Sequence, residues 1–145
     1  PTVLVAWGQR VLLSHGDAMC LADTDYLAFR ALVRGEAWQS AFLSKPLPER
    51  EAIARDLRAR SEARKKELGH DPGLWADVDT DAARAALRST HAGTLINGHT
   101  HSPAVHALGD GLQRIVLSDW DARARPPRAE ALRLTAGGAH RVSLS

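Results

Sequence analysis

The sequence predicts a single domain of the α/β class, and three observations carry that expectation. Short β-branched or leucine-rich runs alternate with longer runs of helical spacing. Two of the short runs, RVLLS and GTLIN, are almost continuously apolar, as strands inside a sheet are. The 145 residues are 44% apolar and 25% charged, a balance that supports one buried core and argues against a disordered chain.

Residues 2–6 and 10–14 flank WGQR and read as two strands joined by a glycine-containing turn. From Asp23 to Val33, the positions Leu27, Phe29, Ala31, Leu32 and Val33 have rough helical spacing, with Asp23 or Thr24 as N-cap and Gly35 as stop. A short helix follows over Glu36 to Ser44. KPLPER breaks the chain, because a proline disfavours helix in the residue before it and Pro48 suits a first helical turn. Residues 49–67 then form a charged, alanine-rich helix whose apolar face is thin, chiefly Ile53, Ala54 and Leu57. GHDPG, residues 69–73, reads as a loop, and DTDAARAALRSTH as a helix capped by Asp79 or Thr80. GTLIN gives a strand, with further strands near 104–107 and 114–118, and the end folds into a hairpin about Gly137 and Gly138. Only RARPPR, residues 123–128, resembles a linker.

Composition excludes several functions. Nineteen basic against seventeen acidic residues leave a net charge of +2, which gives no case for nucleic acid. The single cysteine, Cys20, cannot form an intrachain disulfide and fits a reducing compartment. No apolar run approaches the roughly 18 residues that would span a bilayer.

Histidine placement carries the chemistry. Open α/β sheets bind ligands at the carboxyl ends of their strands. Two strands here end in histidine, VLLS at His15 and TLIN at His99 and His101. In extended chain, residues two apart point the same way, so His99 and His101 would aim at one centre or at two neighbouring ones. Three neutral imidazoles converging from two strand ends would make a transition-metal site, and Gly16 and Gly98 would let the backbone turn beside them. His70, His91, His106 and His140 stand in no such pattern and read as ordinary surface or core residues.

LLSHGD and INGHTHSPAVH resemble two signature blocks of the calcineurin-like metallophosphoesterases. The intervening HGDAMCLADTDYLAFRALVR, the basic helix and WADVD narrow the resemblance to the family that hydrolyses the pyrophosphate of UDP-2,3-diacylglucosamine in lipid A synthesis. The resemblance implies a four-layer αββα sandwich, of which this chain would be the C-terminal portion with the N-terminal strands missing and a helical lid inserted at about 36–72. It implies two Mn²⁺ ions, His15 and His99 binding one and His101 the other, with His99 also catalytic. Asp23 and Tyr26 in ADTDY would line the nucleotide-sugar pocket, and Ser61, Lys65 and Lys66 would belong to the lid. Water activated between two ions about 4 Å apart would release UMP and leave 2,3-diacylglucosamine 1-phosphate. Trp38, Phe42 and Leu43 would suit an acyl pocket, or equally ordinary helix packing. A cytoplasmic protein peripheral to the inner membrane is expected.

Two hard cations carry four positive charges that imidazoles do not neutralise, so such a centre needs carboxylates. The family draws them from an Asp-X-His, a Gly-Asp-X-X-Asp and a Gly-Asn-His/Arg-Asp, none of which occurs here. ADVDTDA holds Asp77, Asp79 and Asp81 but lacks the glycine, and Asp17 suits support of His15 rather than ligation. With Pro1 at its start, the chain is therefore expected to be a fragment with half a metal site, inactive alone, that self-associates through exposed sheet. The alternatives are another metallophosphoesterase, acting on a nucleotide or phosphoprotein, and a degenerate non-catalytic metal-binding domain. The seven basic residues between Arg50 and Lys66 read as a solvated, ion-paired helix or, in the family context, as cations facing a diphosphate or an anionic membrane.

Overall fold

The computed structural model describes residues 1–68 and 77–144, residues 64–68 by their backbone. The chain is mixed α/β and divides into two compact units, Pro1–Leu21 with Asp77–Ser145, and Ala22–Ala76.

The first unit is built on strands β1 (Thr2–Ala6), β2 (Gln9–Ser14), β3 (Thr94–Asn97), β4 (Ala104–Gly109) and β5 (Leu112–Val116) in the order β1-β2-β3-β5-β4. β2, β3 and β5 run parallel; β1 and β4 close the edges antiparallel. Leu12 sits beside Leu95 and Leu13 beside Ile96, so successive residues face opposite sides of the sheet. Helix α4 (Thr80–Thr90) lies against β3 and β5, with Ala83 and Leu87 fully buried along with Leu95. Its ends follow local chemistry: the Asp79 carboxylate accepts from the N–H of Ala82 at 2.8 Å, and His91 ends the helix at φ +51°. The opposite face buries Val11, Ile96 and Ile115 beneath the hairpin of β6 (Glu130–Thr135) and β7 (Gly138–Ser143), through Leu132, Leu134 and Ala139. Arg141 ties this hairpin down, donating to the carbonyls of Val116 at 2.6 Å and Ala104 at 3.2 Å and pairing with Glu130.

Arg114 is the buried cation of this unit. It is 3% exposed on β5 and takes both oxygens of Asp77, at 2.9 and 2.7 Å. Hydrogen bonds from this guanidinium hold the Asp77 carboxyl below the usual carboxylate range, against the opposing effect of burial.

The second unit consists of α1 (Thr24–Arg34), α2 (Glu36–Leu43) and α3 (Leu47–Leu68). α3 begins two residues before the expected Glu49 because Pro48 falls in its first turn, where a missing N–H is no loss. Ile53 and Leu57 are half-buried but Ala54 is exposed, so the apolar face is narrower than the sequence suggested. No residue of α1 or α2 is fully buried, and Trp38 stacks on Phe42 with ring centroids 4.8 Å apart.

The loop expected at residues 69–73 lies outside the described residues. Residues 123–128 are not a linker. Asp121 and Arg128 pair backbone to backbone, at 2.8 and 3.0 Å, and the Asp121 side chain accepts from the N–H groups of Arg123 and Ala124, so the segment is a closed loop.

Candidate metal centre

β2 and β3 are adjacent and parallel, with Ser14 level with Asn97, so both strands release their chains at one edge of the sheet. The ladder runs one step further, the N–H of Gly98 donating to the carbonyl of His15 at 3.1 Å. Two loops that are 84 residues apart in sequence are thereby fixed side by side, and His99 Nδ1 lies 3.2 Å from His15 Nε2. The rings meet edge to face, with centroids 4.9 Å apart.

The loop that carries His99 is not extended. The N–H of Thr100 donates to the carbonyl of Gly98 at 2.8 Å, closing a three-residue turn with His99 at φ +67°. His101 follows at φ +52°. The extended backbone on which the expected alternation of His99 and His101 rests is absent here, since both histidines have positive φ. His99 turns to His15, and His101 is exposed. Left-handed backbone at non-glycine residues is uncommon and concentrates at functional sites.

Gly16, at φ +104°, has a packing reason to be glycine. A Cβ there would stand 2.9 Å from Asn97 Nδ2. Asn97 is fully buried and donates through Nδ2 to the carbonyl of Gly98 at 2.8 Å, so its side chain fills the space between the two histidine loops. Its Oδ1 is a buried acceptor with no hydrogen-bond partner among the described residues. Asp17, 3% exposed, opens a short 3₁₀ turn at Asp17–Met19 directly after His15 and Gly16.

Two nitrogens bound to one ion at about 2.1 Å stand roughly 3.0–3.4 Å apart for right-angled to tetrahedral ligation. The His15–His99 separation of 3.2 Å fits that chord. Ligation needs both lone pairs free, whereas a hydrogen bond between the rings needs a proton on one of them, so an ion binding here displaces that proton. Among the described residues no group of three or more His, Cys, Asp or Glu side chains could hold a metal. The separation of the pair fits two nitrogen donors of one ion.

Other predicted site residues lie in the helical unit. The Asp23 carboxylate accepts from the N–H of Tyr26 at 3.2 Å, which makes it the N-cap of α1 and places both residues on that helix's first turn. Ser61 is exposed on α3; Lys65 and Lys66 are on the same helix, and their side chains lie outside the described residues. Sequence reasoning missed Asn97, whose signal is a polar residue ending a buried strand, and Asp119. Asp119 is half-buried and bound through both oxygens to Arg128, at 2.9 and 2.6 Å. Those bonds, with the nearby charge of His101 among lesser causes, hold its carboxyl below the usual range.

No family model matches the chain. Curated relatives do. The UDP-2,3-diacylglucosamine hydrolase of Chromobacterium violaceum is 50% identical over 120 residues, covering 83% of this chain and 49% of the relative. The chain is similar to the UDP-2,3-diacylglucosamine hydrolases over most of its own length. Hydrolases of the same name from Xanthomonas campestris pv. campestris, 43% identical over 127 residues, and Stenotrophomonas maltophilia, 39% identical over 145, agree. The Stenotrophomonas relative extends the match to 95% of this chain. The chain spans about half the length of these relatives. Among the described residues no helix is long and apolar enough to cross a membrane.

Proposed function

We propose that this chain supplies one side of the active site of a UDP-2,3-diacylglucosamine hydrolase, cleaving the pyrophosphate to UMP and 2,3-diacylglucosamine 1-phosphate. The observation that carries the reading is the His15–His99 pair, held 3.2 Å apart by adjacent parallel strands in a chain 50% identical to such a hydrolase. His15 and His99 would hold one Mn²⁺ and His101 the second. Bound metal would supply Lewis acidity toward the phosphate and an activated water at neutral pH.

The chain's own residues do the positioning. The strand ladder and the tight turn at His99 fix both imidazoles before any ligand arrives, so little ordering is left to binding. His99 is placed to pass a proton or a hydrogen bond to the departing group. Asp23 and Tyr26 on the first turn of α1 would bind the nucleotide sugar, and Ser61, Lys65 and Lys66 on α3 the diphosphate. We place α2 and α3 in a lid over the acyl chains, the sheet in a four-layer sandwich, and the protein in the cytoplasm, peripheral to the inner membrane. Self-association through exposed sheet belongs to the same reading.

Mn²⁺ calorimetry and UMP release test the reading, on this chain alone and with the unmatched half of the Chromobacterium relative added in trans. Mn²⁺ binding that His15→Ala and His99→Ala each abolish, with turnover when both halves are present, is the expected result. Metal binding that survives both substitutions would overturn it.

A further inference from the structure

Gly98 directly precedes His99, and its carbonyl accepts two hydrogen bonds. One comes from the N–H of Thr100 at 2.8 Å and closes the tight turn that holds His99 at φ +67°. The other comes from the side-chain Nδ2 of Asn97, also at 2.8 Å. A carbonyl oxygen has two lone pairs, and the segment around His99 uses both. A three-residue turn with positive φ at its centre is rare and strained, so it persists only where its surroundings hold it.

The same amide reaches the other histidine loop. Nδ2, Cβ and Cγ of Asn97 all lie within 3.4 Å of where a Cβ on Gly16 would stand, and Gly16 directly follows His15. The Asn97 backbone is anchored separately: it ends β3 level with Ser14, and its carbonyl accepts from the N–H of Leu117 at 2.7 Å. The side chain is fully buried, and its Oδ1 has no hydrogen-bond partner among the described residues. A buried amide satisfied at one end only is a poor choice for stability, since an apolar side chain would leave no such oxygen behind. What the amide supplies and an apolar residue cannot is the N–H donated to Gly98.

We propose that Asn97 is a positioning residue for the His15–His99 pair. Its side-chain N–H braces the carbonyl on which the His99 turn closes, while the rest of the side chain abuts the His15 loop. The inference rests on the reading of both histidines as ligands of one ion, and it adds the group that keeps their nitrogens 3.2 Å apart.

Amide hydrogen exchange of the metal-free chain, followed by NMR, tests the proposal in Asn97→Leu and Asn97→Ala. Both remove the donor, one overfilling the space between the loops and the other emptying it, so an effect common to both belongs to the lost N–H. Either variant decides the matter if the other does not fold. Exchange at Thr100 should quicken by roughly fivefold relative to Leu117 and Gln113, whose N–H groups bond to the carbonyls of Asn97 and Gly93. Contacts between the His15 and His99 rings should weaken with it. An Asn97 that only fills the core would speed all three amides alike, or none, and either pattern overturns the proposal. In parallel calorimetry the variants should bind Mn²⁺ roughly tenfold more weakly than the native chain; equal affinity overturns it as well. A native chain that binds no Mn²⁺ counts against the metal reading, while the exchange pattern still decides the role of Asn97.

Discussion

The sheet unit and the helical unit of this chain are stabilised in different ways. Leu87, Leu95 and Val116 are completely buried in the sheet unit, whereas α1 and α2 bury no residue fully and expose Phe29, Leu32 and Leu43. α3 is lined with i to i+4 ion pairs: Lys45 with Glu49, just ahead of and within its first turn, Glu51 with Arg55, Asp56 with Arg60, and Arg58 with Glu62. One unit is held by apolar burial. The other relies on local helix chemistry, with Lys45, Arg55, Arg58 and Arg60 each facing a carboxylate four residues away. The histidine pair lies on the unit that has the core, where precise placement is affordable.

The comparison is broken most severely by removing a core side chain. Leu95→Ala should cost the sheet unit about 3 kcal/mol, combining lost burial with a cavity that a strand between two strands cannot close. Leu57→Ala on the half-buried face of α3 should cost less than about 1 kcal/mol. Urea denaturation with amide exchange to separate the units would measure both; equal losses would mean that the helical unit has a core of its own.

Asp77→Ala should follow in size. It strands the nearly buried Arg114, and because the Asp77 side chain is 54% exposed, water offsets part of the penalty, leaving about 2 kcal/mol. The pair also sets a pH dependence. Asp77 has a lowered carboxyl pKa in the folded state, so its contribution is complete above the ordinary range of an unfolded aspartate, about 3.9, and is lost as pH falls from there through the folded value. Denaturation midpoints of native and Asp77→Ala chains should therefore converge as pH falls below the ordinary aspartate range.

Gly16→Ala tests the joint between the two histidine loops. A methyl 2.9 Å from the Asn97 amide, on left-handed backbone, should cost about 1–2 kcal/mol. The paired resonances of His15 and His99 should shift with it. Ring signals that stay unchanged would show that the loops are held without Asn97.

These effects differ in how far the sequence disclosed them. Interactions within a few residues were legible: Asp79 capping α4, Asp23 capping α1, the hairpin at the end, and Pro48 opening α3. His15 and His99 were legible because each ends an apolar strand, and strand ends share an edge when the strands are parallel neighbours. The tight turn at His99 was not legible, since nothing in HTH announces left-handed backbone. Nor was the Asp77–Arg114 pair. Asp77 read as one acid among three in ADVDTDA, and its partner stands 37 residues on in a strand where an arginine suggests an exposed face. Asn97 and Asp119 were passed over for the same reason, because their partners belong to other loops.

Helix capping sharpens the comparison from the other side. Asp23→Ala removes the acceptor for the Tyr26 N–H and should destabilise α1 by about 1 kcal/mol, seen as faster amide exchange in its first turn. Exchange in the sheet unit should stay as it was, because the capping bond is local to the helical unit. Loss of protection in β2 or β3 as well would show the two units unfolding together.

The smallest effect belongs to the surface of α3. Arg58→Gln deletes one ion pair with Glu62 between side chains 81% and 59% exposed, and should change stability by no more than about 0.5 kcal/mol. The informative quantity is the salt dependence. A helix supported by several such pairs should lose helicity between low and high ionic strength, since exposed charges are screened beyond roughly 8 Å at physiological salt, while a sheet held by apolar burial should not. Circular dichroism of native and Arg58→Gln chains across that range separates the cases. If the helical signal is insensitive to salt in both, α3 is held by its narrow Ile53–Leu57 face, and the contrast between an apolar unit and an ion-paired one fails at the helix where it should be clearest.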